Sequence, residues 1–216
     1  MDSDLDAARG DTCAPEAVIL RAGYYPVHPD MLQRDVQQTL RTRARATHDE
    51  LARIARPLDP EQLQRRPPDQ GWSVGQVLEH LCVTVEIYEP RVQAVLRTAR
   101  VDAAAPLREW TPTVFGRMLV GSLAGSRKLS SPKSMAPSLT PRAAVLETFL
   151  GMHASLVTRI DHAATFDWRA LRLSSPAVPR LLQPLARLNL GDVFSVFVVH
   201  AERHARQIER VVGTLS

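Results

Sequence analysis

His200 and His204 stand four residues apart in the run Val199-His200-Ala201-Glu202-Arg203-His204-Ala205-Arg206-Gln207-Ile208. On an α-helix that spacing puts two imidazoles on one face, where both can grip a single metal ion. The stretch before them, Asp192 to Val199, is too apolar for a solvated surface, so the helix carries the pair toward an interior. A buried polar pair needs a partner, and a shared cation is one that two neutral imidazoles can accept.

Angular position decides which neighbours join them. At about 100° per residue with His200 as zero, His204 lies near ~40°, Val193 and Val211 near ~20°, Phe197 near ~60° and Gln207 about 20° the other way. Glu202 falls about 200° away, on the side predicted to face solvent. The His-x-Glu-x-His run is therefore no zincin motif, in which the glutamate directly follows the first histidine and can serve as the base.

Two imidazoles alone fix an ion weakly, so a third ligand should come from another helix. His80 is the first candidate, beside a core stripe and flanked on its own face by Val77, Thr84 and Ile87. His153, beside Phe149 and Leu156, competes: it is a substitute ligand, a partner behind the ligands or a packed histidine. His28, His48 and His162 fall at predicted helix ends or flanks and carry no assignment. Three neutral imidazoles leave a divalent ion net positive with an open position, the arrangement of a catalytic site. Such an ion acidifies a bound water or thiol.

Helices must position these groups. From Asp30 to Leu58, the residues Leu32, Val36, Leu40, Thr47, Leu51, Ile54 and Leu58 recur at three- and four-residue spacing, which predicts an amphipathic helix that Pro57 ends or closely follows. A polar connection with Pro60, Pro67 and Pro68 leads to Ser73, which forms a capping-box pattern with Gln76. The second helix starts there and runs past Tyr88, with Pro90 as a kink rather than a stop. Its core stripe is Val77, Leu78, Leu81, Val85 and Tyr88. Residues 102–139 form a long crossover with a short helix around Phe115 to Leu123. A third helix is predicted from Thr140 as cap and Pro141 as first helical residue to about His162, with Val145, Phe149, Met152, Leu156 and Ile160 inward. A second connection, Asp167 to Asn189, precedes a last helix opened by Asp192. No segment alternates as a β-strand, so the pattern predicts an all-α four-helix bundle with long crossover connections.

Composition sets the wider limits. The 216 residues suffice for one domain with an ample core, and 44% hydrophobic with 23% charged residues excludes a wholly disordered chain. Residues 1–24 lack periodicity and read as a flexible N-terminal tail, leaving 25–216 as the folded domain. The formal charge of +4 raises the question of nucleic acid, but the arginines are scattered. Arg41, Arg43 and Arg45 alternate on a helix and form no stripe. Two cysteines, Cys13 and Cys82, make no disulfide framework. No apolar run approaches the ~18 residues that span a bilayer, and the acidic start carries no secretory signal pattern. The expectation is a soluble cytoplasmic protein without nucleic-acid or membrane partners.

Three stretches together carry a family resemblance. Gly71-Trp72-Ser73 with Val77-Leu78-Glu79-His80-Leu81, then Lys133-Ser134-Met135-Ala136-Pro137 with Pro141, then His200 through Ile208 resemble the DinB-like superfamily, including its bacillithiol S-transferase-like members. The match runs from about Tyr25 to Val212 in order. The resemblance implies a four-helix bundle with up-down-down-up connection, often a homodimer, holding a divalent metal through three histidines. Carried over by position, the ligands are His80, His200 and His204. Zinc or nickel is the expected ion, with iron or manganese as alternatives. Characterised members transfer low-molecular-weight thiols or isomerise with their help, so a thiol is the expected cosubstrate and a small electrophile the substrate, with related lyase or hydrolase chemistry beside it.

On this reading Gln207 or Arg203 orients the substrate; alternatively Gln207 hydrogen-bonds a ligand histidine from behind and Arg203 forms a salt bridge. Trp72 lines the mouth of the site or acts as a hydrophobic staple at the helix entry. Two other classes stay open: a binding protein that holds metal or a small ligand without turnover, and a dimeric helical scaffold.

Overall fold

The computed structural model describes residues 31–127 and 129–215. Among these residues six α-helices form: α1 (Gln33–Ala55), α2 (Pro60–Gln64), α3 (Val74–Thr98), α4 (Val114–Ala124), α5 (Val145–His162) and α6 (Leu190–Val212). Two short strands, β1 (Arg172–Ser174) and β2 (Arg187–Asn189), pair antiparallel. The molecule is all-α in character, but it is not strictly a bundle of four. No described helix is long and apolar enough to cross a membrane.

The long helices α1, α3, α5 and α6 form the frame. α1 and α3 each pack on both α5 and α6, so the four enclose a common interior, and α4 lies along α6. The amphipathic spacing of α1 is realised: Val36, Leu40, Thr47, Leu51 and Ile54 are buried. α3 starts at the expected capping box, in which Ser73 accepts from the Gln76 backbone and Gln76 returns a bond to Ser73. It runs through Pro90 to Thr98.

Several expectations are corrected. Connection 56–73 contains α2, because Asp59 and Gln62 form a capping box around Pro60 at the first helical position. α5 begins at Val145, not at Pro141: Arg142 is pinned to α3 by bonds to Glu79 and Glu86, and Ala144 takes a left-handed φ of 51° before the helix can start. Tertiary ion pairing overrides the local cap signal of Thr140-Pro141. α6 starts at Leu190, and Asp192 is its third helical residue, closing a capping box with Asn189. The strands escaped the sequence because three residues are too few to show alternation; Leu173 and Leu188 face each other in register and are buried.

Two apolar clusters fill the interior. One gathers Leu40, Tyr88, Trp110, Trp168, Phe194 and Phe197, and the other Leu51, Leu78, Phe149, Ala205 and Ile208. On α6 the first ends at Val199 and the second begins at Ala201, so His200 falls at their junction. The last helix is thus gripped by apolar packing on both sides of its polar group.

Asp192 locks α4 to the start of α6. Its carboxylate accepts from the Thr113 backbone at 3.1 Å, the Thr113 hydroxyl at 2.8 Å and the Asn189 backbone at 2.9 Å. A Cβ on Gly116 would lie 2.2 Å from the Asp192 Cγ, so only glycine admits this contact. Alanine in a helix ordinarily gains about 1 kcal/mol over glycine. Here the collision outweighs that gain, and Gly116→Ala is expected to lose about 2 kcal/mol in urea unfolding. A neutral or stabilising result would contradict the contact.

Candidate metal centre

α6 brings His200 and His204 to one face, and α3 brings His80 opposite them. Phe194 and Phe197 in one cluster and Ile208 in the other set the rotation of α6, while Leu78 and Leu81 set that of α3. The three imidazoles are buried and their ligand atoms all lie within 4.8 Å of one another. His200 Nε2 is 3.1 Å from His80 Nε2 and 3.0 Å from His204 Nε2. The rings meet edge to face at 74–87°. Each nitrogen therefore points at a common centre rather than stacking on its neighbour.

Hydrogen bonds behind the rings fix which nitrogen faces inward. The His80 Nδ1–H donates to the Met135 carbonyl at 2.6 Å, and the His204 Nδ1–H donates to Gln207 Oε1 at 2.8 Å. With Nδ1 carrying the proton, Nε2 of both rings is a lone pair. His200 Nε2 can supply one proton at most, so three protein nitrogens alone leave at least one lone pair without a donor. A cation resolves that conflict.

The residues fit a divalent ion. Two ligands at about 2.1 Å stand about 3.0 Å apart when they subtend 90° and about 3.4 Å at the tetrahedral angle, and the two short separations between the ring nitrogens, 3.0 and 3.1 Å, match the former. Protonation does not compete. Burial drives His200 well below the ordinary histidine range, reinforced by His204 and His80. Burial also holds His204 down to about 3, and lowers His80 against the opposing Met135 carbonyl. All three stay neutral and ligand-competent at pH 7.

The other sequence candidates separate. Gln207 is bonded to His204, the arrangement in which it steadies a ligand from behind. Trp72 lies against His80, with ring centroids 5.0 Å apart. Arg203 donates to the carbonyls of Leu123, Gly125 and Arg127, closing the C-terminal end of α4, so its guanidinium is already engaged. His153 is not in the cluster; it is buried on α5 and stacks on His48 at 6.2 Å between centroids. His48 itself lies within α1 and not at a helix end.

Glu202 is a further correction. It does not face solvent: Arg43 of α1 donates to both its oxygens, at 2.7 and 2.6 Å, and the pair is largely buried. The helical angle placed it correctly opposite the histidines, but α1 covers that side. Glu79, beside His80, is likewise bound by Arg142, whose hydrogen bonds lower its pKa. Met135 escaped as a supporting residue because a backbone carbonyl leaves no side-chain signature, although it lies inside one of the three stretches that carry the resemblance. Cys82 offers no nucleophile; burial pushes its thiol up to about 12.

Support from behind a ligand ordinarily affects metal affinity about 10- to 100-fold. Gln207→Leu is expected to weaken metal binding by about that factor, read by competition against a chromophoric chelator. Unchanged affinity would show that the Gln207 contact does not orient His204.

No curated protein and no solved structure matches the chain. A sequence profile described as the DinB superfamily matches residues 43–208, a span that contains all three histidines and the helices that carry them. With most of its length matched and a three-histidine cluster able to coordinate a divalent metal, this chain belongs to the DinB superfamily.

Proposed function

We propose that this protein is a metal-dependent enzyme that transfers a low-molecular-weight thiol to a small electrophile, with related lyase or hydrolase chemistry as its nearest relatives. The observation that carries the reading is the convergence of three neutral imidazoles with no carboxylate or thiolate among them. His80, His200 and His204 would hold zinc or nickel, with iron or manganese also compatible with the set. Neutral ligands leave the ion its full charge, and the chemistry it supplies is the ionisation of a bound thiol near neutral pH.

The chain's own residues do the rest. Met135 and Gln207 orient His80 and His204. Glu79 and Glu202, the nearest carboxylates in sequence, are each engaged by an arginine and do not serve as the base. The thiol proton therefore leaves to solvent, the sulfur forms a bond to the electrophilic carbon, and the leaving group departs with its electron pair. Family membership supports the companion expectations: an up-down-down-up course of the four long helices, a homodimer, a cytoplasmic setting and a small-molecule substrate.

The engaged carboxylates also favour a second reading, in which the site holds a metal or small ligand without turnover. Elemental analysis of protein repleted with nickel and zinc tests the site, with about one equivalent expected and less than about a tenth defeating it. Monochlorobimane with a panel of small thiols then separates enzyme from binder. Metal-dependent adduct fluorescence supports transfer; a metal-loaded protein inert with every thiol overturns transfer in favour of binding.

A further inference from the structure

A cavity of about 260 Å³ opens between α3, α5 and α6 and reaches His200. That is just under the ~300 Å³ at which drug-sized pockets begin, so its occupant is small. Leu81, Val85, Phe149, Leu156, Phe194 and Phe197 make its walls chiefly apolar. The charged side chains on the wall are already engaged, Glu89 with Arg159 and Glu86 with Arg142. The Thr84 hydroxyl donates to the His80 carbonyl and the Ser155 hydroxyl to the Gly151 carbonyl. His153 also lines the cavity, but both its ring nitrogens are enclosed and offer an occupant nothing.

The open polar atom belongs to His200. Behind the ligand atoms, two of the three second ring nitrogens are provided for: His80 Nδ1–H donates to the Met135 carbonyl and His204 Nδ1–H to Gln207 Oε1. His200 Nδ1 has no hydrogen-bond partner among the described residues. Unlike the nitrogens of His153 it keeps accessible surface, although the residue as a whole is only 8% exposed. With Nε2 of His200 turned to the other two histidines, a metal ion held there leaves the proton on Nδ1. Ligand histidines ordinarily donate that second N–H to a carboxylate, a carbonyl or water. The chain supplies this partner twice, and the third position lies where the cavity meets the cluster.

Charge selects among those partners. The two acceptors already present are neutral, and Glu79 and Glu202 are bound by arginines. The chain therefore leaves the charge of a divalent ion uncompensated, and an N–H on its ligand bonds an anion about twice as strongly as a neutral acceptor. We propose that this cavity binds a small, largely apolar carboxylate, and that His200 Nδ1–H donates to it. The apolar body lies among Leu81, Phe149, Leu156 and Phe197. Carboxylate and metal then raise each other's affinity by the same factor, because each favours the His200 tautomer that the other needs. The inference rests on the metal site proposed above and, where thiol transfer also holds, makes the electrophile a carboxylic acid of this kind.

The test is equilibrium dialysis of the full-length protein against 2-naphthoate, 2-naphthamide and naphthalene, zinc-loaded and after chelation, with metal content measured on the same samples. One 2-naphthoate is expected to bind per zinc-loaded chain, about tenfold more tightly than either neutral analogue, and chelation should abolish that preference. Saturating 2-naphthoate is expected to raise zinc affinity about tenfold in a chelator competition. In nitrogen-edited proton spectra of the zinc-loaded protein, the His200 Nδ1–H signal should move downfield while those of His80 and His204 stay in place. Val85→Phe, which adds bulk at the wall, is expected to lose 2-naphthoate and keep one equivalent of zinc. No saturable 2-naphthoate binding, equal binding of a neutral analogue, a preference that survives chelation, unchanged zinc affinity or an unmoved His200 signal each overturns the proposal, whether or not the variant folds. Zinc-loaded protein that transfers thiols but ignores 2-naphthoate sinks this inference alone. Protein that binds 2-naphthoate with zinc yet is inert with every thiol sinks transfer alone, and protein that takes up no metal sinks both.

Discussion

His200→Ala is expected to take bound divalent metal from about one equivalent per chain to less than about a tenth. His200 is the common member of both short contacts, 3.1 Å to His80 and 3.0 Å to His204. Without it the remaining nitrogens sit on different helices with nothing between them. The loss has a second readout. A ligand that binds only the folded state at a hundred times its Kd adds about 3 kcal/mol of stability. Nickel or zinc should therefore raise the thermal midpoint of the parent protein and leave that of His200→Ala unmoved. A variant that retains stoichiometric metal, or melts higher with it, would place the ion elsewhere.

Glu202→Ala is expected to destabilise the fold by about 3 kcal/mol, the scale of breaking a buried ion pair. Arg43 donates to both carboxylate oxygens, and the side chains are only 16% and 7% exposed. Truncating the glutamate leaves a guanidinium facing the interior with no acceptor. Replacing both residues, as Arg43→Met with Glu202→Leu, removes the unpaired charge and should recover most of the loss. Urea unfolding of the two single variants and the double variant measures the coupling. A single-variant loss below about 0.5 kcal/mol would be that of an exposed pair and would contradict the burial. Glu202 sits between His200 and His204, so the pair with α1 also holds α6 in the rotation that turns both imidazoles to α3.

The helices were legible to the degree that their signals are local. Ser73 and Gln76 announced α3, and the spacing of Val36, Leu40, Thr47 and Leu51 announced α1, because capping and amphipathic periodicity depend on residues within a few turns. Thr140-Pro141 carried an equally good start signal and failed, since Arg142 is drawn to Glu79 and Glu86 on another helix. The carbonyl partners of Arg203 and the burial of Glu202 were hidden for the same reason. Nothing near them in sequence shows that α4 ends under one and α1 covers the other.

By itself the sequence determined that His200 and His204 share a helical face and that His80 lies beside the core stripe of α3, since side-chain direction on a helix follows from residue number alone. Only the tertiary structure decided that the three nitrogens converge, that Met135 and Gln207 turn the lone pairs inward, and that His153 is left out of the cluster, its ring nitrogens without a hydrogen-bond partner among the described residues. Those outcomes depend on how α3, α5 and α6 are rotated against one another. Packing between residues more than a hundred positions apart fixes that rotation, and no local pattern encodes it.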